Sequence, residues 1–347
     1  MHFFSDNATP VCPEVMAAIA AADRADHGYD GDAWSARLDD AFSTLFETEV
    51  QALWVASGTA ANSIALACLC PPYGGVIAHE EAHIVVDECG APGFFTHGAT
   101  LMPLPGVGAK LTPDSVRDRL KTIRPDVHQV PARAISITNA TEYGLVYAPE
   151  EVAALGDVAK AHDLGLHMDG ARFANAVAAL GCHPADITWK AGVDILSFGA
   201  TKNGALAAEA VIIFDQDLAV EFGRQRMRGG HLLSKMRYLS IQLKSYIEDG
   251  LWLTLAGRAN KAAQQIASGL STIPAVDICH PVEVNAIFVR FPEQMIEGLT
   301  EEGFLFHRWS TQAGMVRLMC SYAITDDDVE KFLKAARRHA PHSVSAV

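Results

Sequence analysis

Lys202 lies in the run Ser197-Phe198-Gly199-Ala200-Thr201-Lys202-Asn203-Gly204, just past an apolar, strand-like stretch. The tetrapeptide Asp169-Gly170-Ala171-Arg172 ends the apolar stretch before it. A lysine amine presented at the end of a buried strand can condense with an aldehyde to a Schiff base. An aspartate at a neighbouring strand end can pair with a pyridinium nitrogen. Pyridoxal phosphate chemistry asks these two groups of a protein before any others. Neither is specific alone, because strand-end lysines are usually solvated and Asp-Gly is an ordinary turn. The reading therefore depends on the rest of the constellation.

Ser57-Gly58-Thr59-Ala60-Ala61-Asn62 follows an apolar run and opens a helix. A glycine there lets backbone approach a ligand, and a helix N-terminus offers unpaired N–H groups to a phosphate. The same residues also suit a plain strand-to-helix turn with a hydroxyl cap. His83 and His128 are two of fourteen histidines. Either imidazole can stack on a ring or exchange a proton near neutral pH, and either can equally be a core or surface residue. Arg172 could fork onto a carboxylate or reach a phenolic oxygen. Arg317 interrupts the apolar run Met315-Val316-Arg317-Leu318-Met319. Burying it unpaired is costly, so it faces solvent or meets a carboxylate.

Half of the 347 residues are hydrophobic and a fifth are charged, the profile of a globular protein with room for one large core and a smaller unit. The net charge of −14 argues against nucleic acid or an anionic membrane as the main partner. The N-terminal residues lack the basic and apolar regions of a signal peptide, and no apolar run reaches the ~18 residues of a membrane span. Seven scattered cysteines without a CxxC suggest reduced thiols and no zinc site. A cytoplasmic protein without a metal is the expectation.

The elements that must position these groups are legible from periodicity. Helical spacing marks residues 35–46, 149–162 and 251–270, and a last helix opens at Thr325 with three aspartates and closes with Lys334, Arg337 and Arg338. Short apolar runs at 52–56, 134–138, 164–168, 194–198 and 210–214 read as buried strands. Their alternation with helices predicts a mostly parallel sheet covered on both faces, with ligands beyond the carboxyl ends of its strands. Ser57, Asn139, Asp169 and Gly199 fall just past such ends. After Gly250 the strands 286–291 and 315–319 and the last helix suggest a smaller α+β unit. The expected division is a large cofactor-binding domain over 1–250, including the N-terminal arm, and a small C-terminal domain over 251–347.

With these residues placed, the chain resembles the low-specificity L-threonine aldolases. The blocks around Asp169, Lys202 and Asp87-Glu88-Cys89-Gly90-Ala91-Pro92 are most similar to the bacterial phenylserine aldolase branch. The resemblance implies an α/β fold of the aspartate aminotransferase type (fold type I), with a mostly parallel seven-stranded sheet. It implies pyridoxal 5'-phosphate as cofactor and small amino acids and aldehydes as substrates, with no nucleic acid or membrane partner. Lys202 would carry the Schiff base, Asp169 would meet the ring nitrogen and His83 would stack on the ring. Gly58 and Thr59 would bind phosphate. Ser5, Arg172 and Arg317 would bind the substrate carboxylate, and His128 would lie near the substrate hydroxyl. Tyr29 would reach a neighbouring subunit's site in a homodimer or homotetramer, and Arg228 or Lys235 would offer a cation to its phosphate. The implied reaction is reversible cleavage of L-threonine, L-allo-threonine or L-phenylserine to glycine and an aldehyde. A β-eliminating lyase, a serine hydroxymethyltransferase-like enzyme and a non-catalytic binding protein on the same scaffold are the alternatives.

Overall fold

A computed structural model describes residues 1–309 and 313–341. Seven strands form the main sheet: β2 (Gln51–Val55), β3 (Gly75–His79), β4 (Thr100–Leu104), β5 (Ala132–Thr138), β6 (Gly165–Gly170), β7 (Ile195–Gly199) and β8 (Glu209–Ile213). Their order is β2-β8-β7-β6-β5-β3-β4. The β4-β3-β5-β6-β7 pairings are parallel, and β8 runs antiparallel to both of its neighbours. The strands β3, β7 and β8 are buried along their whole length, as expected for a sheet covered by helices on both faces.

Five of these strands match the expected ones within a few residues. The other two, β3 and β4, were not expected. The run Gly75-Val76-Ile77-Ala78-His79 is only five residues long, and β4 contains Pro103. Proline cannot donate to a ladder and is tolerated on β4 because that strand is an edge.

The second sheet is small, with order β1-β11-β12-β10-β9. It contains β9 (Asp277–Ile278), β10 (Ala286–Arg290), β11 (Leu305–Arg308), β12 (Met315–Met319) and β1 (His2–Phe3). The N-terminal strand β1 pairs in parallel with β11, and Phe3 is part of the small-sheet core. The expected placement of the N-terminal arm with the large domain is therefore corrected. Two residues of extended chain suffice because Phe3 packs its ring on Phe332 at 4.8 Å.

The helix Leu251–Leu270 spans both cores. Trp252, Leu255 and Ala256 at its start belong to the large core, whereas Ala262, Ala263, Ile266 and Leu270 belong to the small one. Its apolar stripe recurs every three to four residues, which keeps one face buried over all twenty positions. Among the described residues no helix is long and apolar enough to cross a membrane.

Candidate active site

The carboxyl ends of β2, β3, β5, β6 and β7 open onto one cleft. One half is a cavity of about 270 Å³ lined by Gly58, Thr59, Asp169 and Lys202 among others. A second half, of about 380 Å³, adds Ser5, Val86, His307, Trp309 and Arg317. The two halves share Asn7, His83, Glu142, Arg172 and Lys202.

Lys202 is placed by a single turn of 3-10 helix, Thr201–Asn203, directly after β7. Gly204 ends that turn at φ 112, a backbone conformation that favours glycine. A side chain there would also meet Leu255 at 2.9 Å. The Lys202 amine forms no hydrogen bond or ion pair with any described residue. Burial depresses its pKa and the nearby Arg172 charge adds to the effect, a shift toward the neutral, nucleophilic amine.

Asp169 closes β6 with its carboxylate buried. Its Oδ1 accepts the Ala171 N–H at 2.9 Å and its Oδ2 accepts Asn62 Nδ2–H at 2.7 Å. The Asn62 amide also donates to Glu88 Oε1 at 3.0 Å. That oxygen in turn lies 2.9 Å from His83 Nδ1. The hydrogen bond to Glu88 raises the His83 pKa, against the effect of burial. His83 and Asp169 are thus the two ends of one chain of contacts, His83–Glu88–Asn62–Asp169.

Ser57 caps the helix Gly58–Leu69, accepting the Ala60 N–H at 3.3 Å. The N–H groups of Gly58 and Thr59 have no partner among the described residues. A Cβ built on Gly58 would touch nothing within 4 Å. This cradle suits a phosphate, and with an unpaired amine and a buried carboxylate at the other end the cleft fits pyridoxal phosphate.

Arg172 does not offer its fork to the cleft. Its Nε donates to Asp6 Oδ2 at 2.7 Å and its Nη2 to Asp6 Oδ1 at 3.0 Å. Burial works against the Asp6 carboxylate, but the Arg172 and Lys202 charges and the hydrogen bonds from Arg172 and Asn285 hold its pKa below the usual range. Arg317 is differently placed. Among the described residues its Nε is buried without a partner, its guanidinium lies 5.7 Å from the Trp309 ring centre, and its one hydrogen bond, to Phe4 O, is long at 3.5 Å. Burial, with Arg172 nearby, lowers its pKa to about 10. A ligand carboxylate would relieve all of these conditions. Ser5 lines the same half of the cleft.

His128 is not brought to this site. It precedes β5 and so lies at the amino end of a strand whose carboxyl end forms the cleft. Its ring is 80% exposed and contacts Asp126 at 3.3 Å. The expectation that His128 sits beside the substrate of its own chain is corrected. Tyr29 is half exposed and lines neither half of the cleft. Arg228 contacts His97 at 2.9 Å, away from Gly58.

Several site residues were not foreseen: Asp6, Asn62, Glu88, Glu142 and Glu209. Glu142 and Glu209 both have their pKa pushed up to about 7 by burial. Glu142 Oε1 accepts Thr138 Oγ1–H at 2.8 Å and the His83 N–H at 3.0 Å. Glu209 accepts the Ala200 N–H at 3.2 Å and lies at the Gly58 end.

Comparison with known proteins gives a consistent picture. The beta-eliminating lyase family model matches residues 2–294. The chain is 44% identical over 337 residues to a low specificity L-threonine aldolase of Pseudomonas aeruginosa, covering 97% of this chain and 96% of that one. A second such aldolase, from a Pseudomonas sp., is 45% identical and covers 92% of each chain. A solved threonine aldolase from Leishmania major superposes with a TM-score of 0.92 at 26% identity, covering 98% of this chain and 99% of that one.

Proposed function

Because the chain belongs to the low-specificity L-threonine aldolases of the beta-eliminating lyase family, which use pyridoxal 5'-phosphate, we propose that it cleaves L-β-hydroxy-α-amino acids reversibly to glycine and an aldehyde. The observation that carries the reading is the cleft's asymmetry. The buried carboxylate of Asp169 lies in one half, the under-partnered Arg317 guanidinium lies in the other, and the unpaired Lys202 amine stands where the two halves meet. Such a cleft suits a cofactor at one end and an amino acid's carboxylate at the other.

When bound, the cofactor supplies an aldehyde for the amine and a ring that takes up the electron pair of the broken bond. The protein's share is positioning and charge. The N–H groups of Gly58 and Thr59 would hold the phosphate. Asp169, fixed by Asn62 and the Ala171 N–H, would keep a proton on the ring nitrogen. His83, oriented by Glu88, would cover the ring. Arg317, with Ser5 beside it, binds the substrate carboxylate, and Arg172 stiffens the wall through Asp6. Holding the carboxylate in the second half would fix the orientation of the substrate's Cα–Cβ bond, the positioning that cleavage needs.

Threonine, allo-threonine and phenylserine are all proposed substrates. The Arg317 half includes Val86, His307 and Trp309 beside the carboxylates of Glu81 and Asp87, and the flat indole and imidazole faces offer an aromatic side chain a surface to pack on as well as a methyl group. In a homo-oligomer, Tyr29 and Arg228 or Lys235 would complete a neighbouring site. The test is direct: the cofactor-loaded protein should release glycine and acetaldehyde from L-threonine. Lys202→Ala should lose both that release and the protein's visible absorbance. An enzyme that eliminates or transaminates without releasing aldehyde would overturn the reading.

A further inference from the structure

Cleavage requires that the β-hydroxyl proton be accepted somewhere, and His128 is too far away in its own chain to accept it. Five residues line both halves of the cleft: Asn7, His83, Glu142, Arg172 and Lys202. A substrate joined to the Lys202 end and clamped at the Arg317 end has its Cα–Cβ bond at this neck. Lys202 is committed to the cofactor, Arg172 is a cation bound to Asp6, and the Asn7 amide does not titrate. That leaves His83 and Glu142.

We propose that Glu142 is the base that takes the β-hydroxyl proton. This rests on the aldolase reading above and deepens it. Oε1 of Glu142 is occupied by two donors, Thr138 Oγ1–H and the His83 N–H, which fix the carboxylate. Its Oε2 has no hydrogen-bond partner among the described residues, and is the oxygen left to receive a proton. In the step, the O–H bond breaks and its proton passes to Oε2. The O–H electrons form the aldehyde C=O, and the Cα–Cβ electron pair stays with the glycine fragment. In the synthetic direction Oε2–H returns the proton to the aldehyde oxygen.

His83 is less suited. Its Nδ1 is held by Glu88 in a hydrogen bond that raises the imidazole pKa against burial, and its ring is already assigned to the cofactor face. Glu209 also titrates near neutrality but lines only the Gly58 half. Glu142 has a raised pKa that suits a base working near neutral pH. The charged and titratable groups that face it are His83, Asp169, Arg172, Tyr143 and Tyr147, and Glu81, Asp87, Lys202, His307 and Arg317 line the same half of the cleft. Among the cations, Arg172 is matched by Asp6 and Lys202 is committed to the cofactor.

Glu142→Gln is nearly isosteric and keeps the oxygen that accepts from Thr138 and His83. The experiment compares three readouts on the cofactor-loaded protein: kcat for L-threonine cleavage, exchange of the glycine Cα proton with D2O, and glycine affinity from the visible spectrum. Exchange needs the same carbanion as cleavage but no base at the β-hydroxyl. The expected result is a fall in kcat of ~10²-fold or more, with exchange and glycine affinity close to wild type. The wild-type rise of kcat with pH through about 7 should also vanish, and Glu142→Asp should restore part of the rate. Unchanged cleavage in Glu142→Gln, or cleavage and exchange falling together, overturns the proposal. Wild-type protein that exchanges glycine but cleaves no β-hydroxy amino acid defeats the aldolase reading itself, and the proposal with it.

Discussion

Arg172 grips Asp6 with two parallel hydrogen bonds, Nε to Oδ2 at 2.7 Å and Nη2 to Oδ1 at 3.0 Å. The contact ties the N-terminal arm, whose first strand lies in the small sheet, to the end of β6 in the large one. Both charges are largely sequestered from solvent, so losing one partner leaves an uncompensated buried charge. Asp6→Asn is expected to destabilise the protein by roughly 3–5 kcal/mol in urea unfolding, the scale for breaking a buried pair. An unchanged denaturation midpoint would show that the arm is held by β1 alone.

Arg317 stands in the opposite situation, with a buried Nε that has no hydrogen-bond partner and a guanidinium that forms no ion pair among the described residues. Arg317→Ala should weaken glycine and L-threonine binding by roughly 2–4 kcal/mol, the range for losing a desolvated charge partner. Protein stability should hold or improve, because among the described residues the cation forms no ion pair and only a long hydrogen bond to Phe4 O. Titration of the visible spectrum with glycine checks this, and an unaltered affinity would place the carboxylate elsewhere.

Glu88 bonds the His83 ring and, through Asn62, reaches Asp169. Glu88→Gln removes the charge and keeps the shape, so the His83 pKa should fall from its raised position. NMR titration of the imidazole would record the shift. Because Asn62 loses an anionic partner, the cofactor spectrum should change as well. A His83 titration identical to wild type would mean that Glu88 does not control the imidazole.

Stability should respond to pH with two opposite signs. Asp6 has a depressed folded pKa, so its contribution is present above the unfolded value of about 3.9 and is lost as pH falls through the folded one. Glu142 and Glu209 have folded values raised to about 7 from 4.5. Their contribution is complete below 4.5 and is lost as pH rises through about 7. The expected profile is a maximum on the acid side of neutrality, falling toward pH ~8. Glu142→Gln should flatten that alkaline fall, and an unaltered slope in urea titrations would remove Glu142 as its source.

The sequence disclosed the groups that sit at strand ends. Lys202, Asp169, Gly58 and His83 meet because parallel strands deliver their carboxyl ends to one edge, and strand-end position can be read from apolar runs. The helix at 251–270 was equally legible, since its stripe is periodic over twenty residues. What stayed hidden were contacts made across long separations. Nothing near Arg172 in the chain indicates that its fork is filled by Asp6. His128 misled for the converse reason, because imidazole chemistry carries no information about which end of β5 the residue precedes. One missed residue did have a usable signal. Glu209 is a lone acid in Ala207-Ala208-Glu209-Ala210-Val211, the same anomaly that drew attention to Arg317.

The helix Leu251–Leu270 also limits how the chain can be divided. A cut at Gly250 looks natural from composition, yet it would strip Trp252, Leu255 and Ala256 from the interior of the first fragment. Trp252 stacks on Phe173 at 6.2 Å and lies 5.6 Å from Phe198, whose strand leads into the Lys202 turn. The wall beneath Lys202 is thus made in part by residues downstream of the apparent boundary. Fragment complementation or transplantation of the C-terminal unit should therefore place its junction beyond Ala256, so that the first turns of this helix travel with the lysine they support.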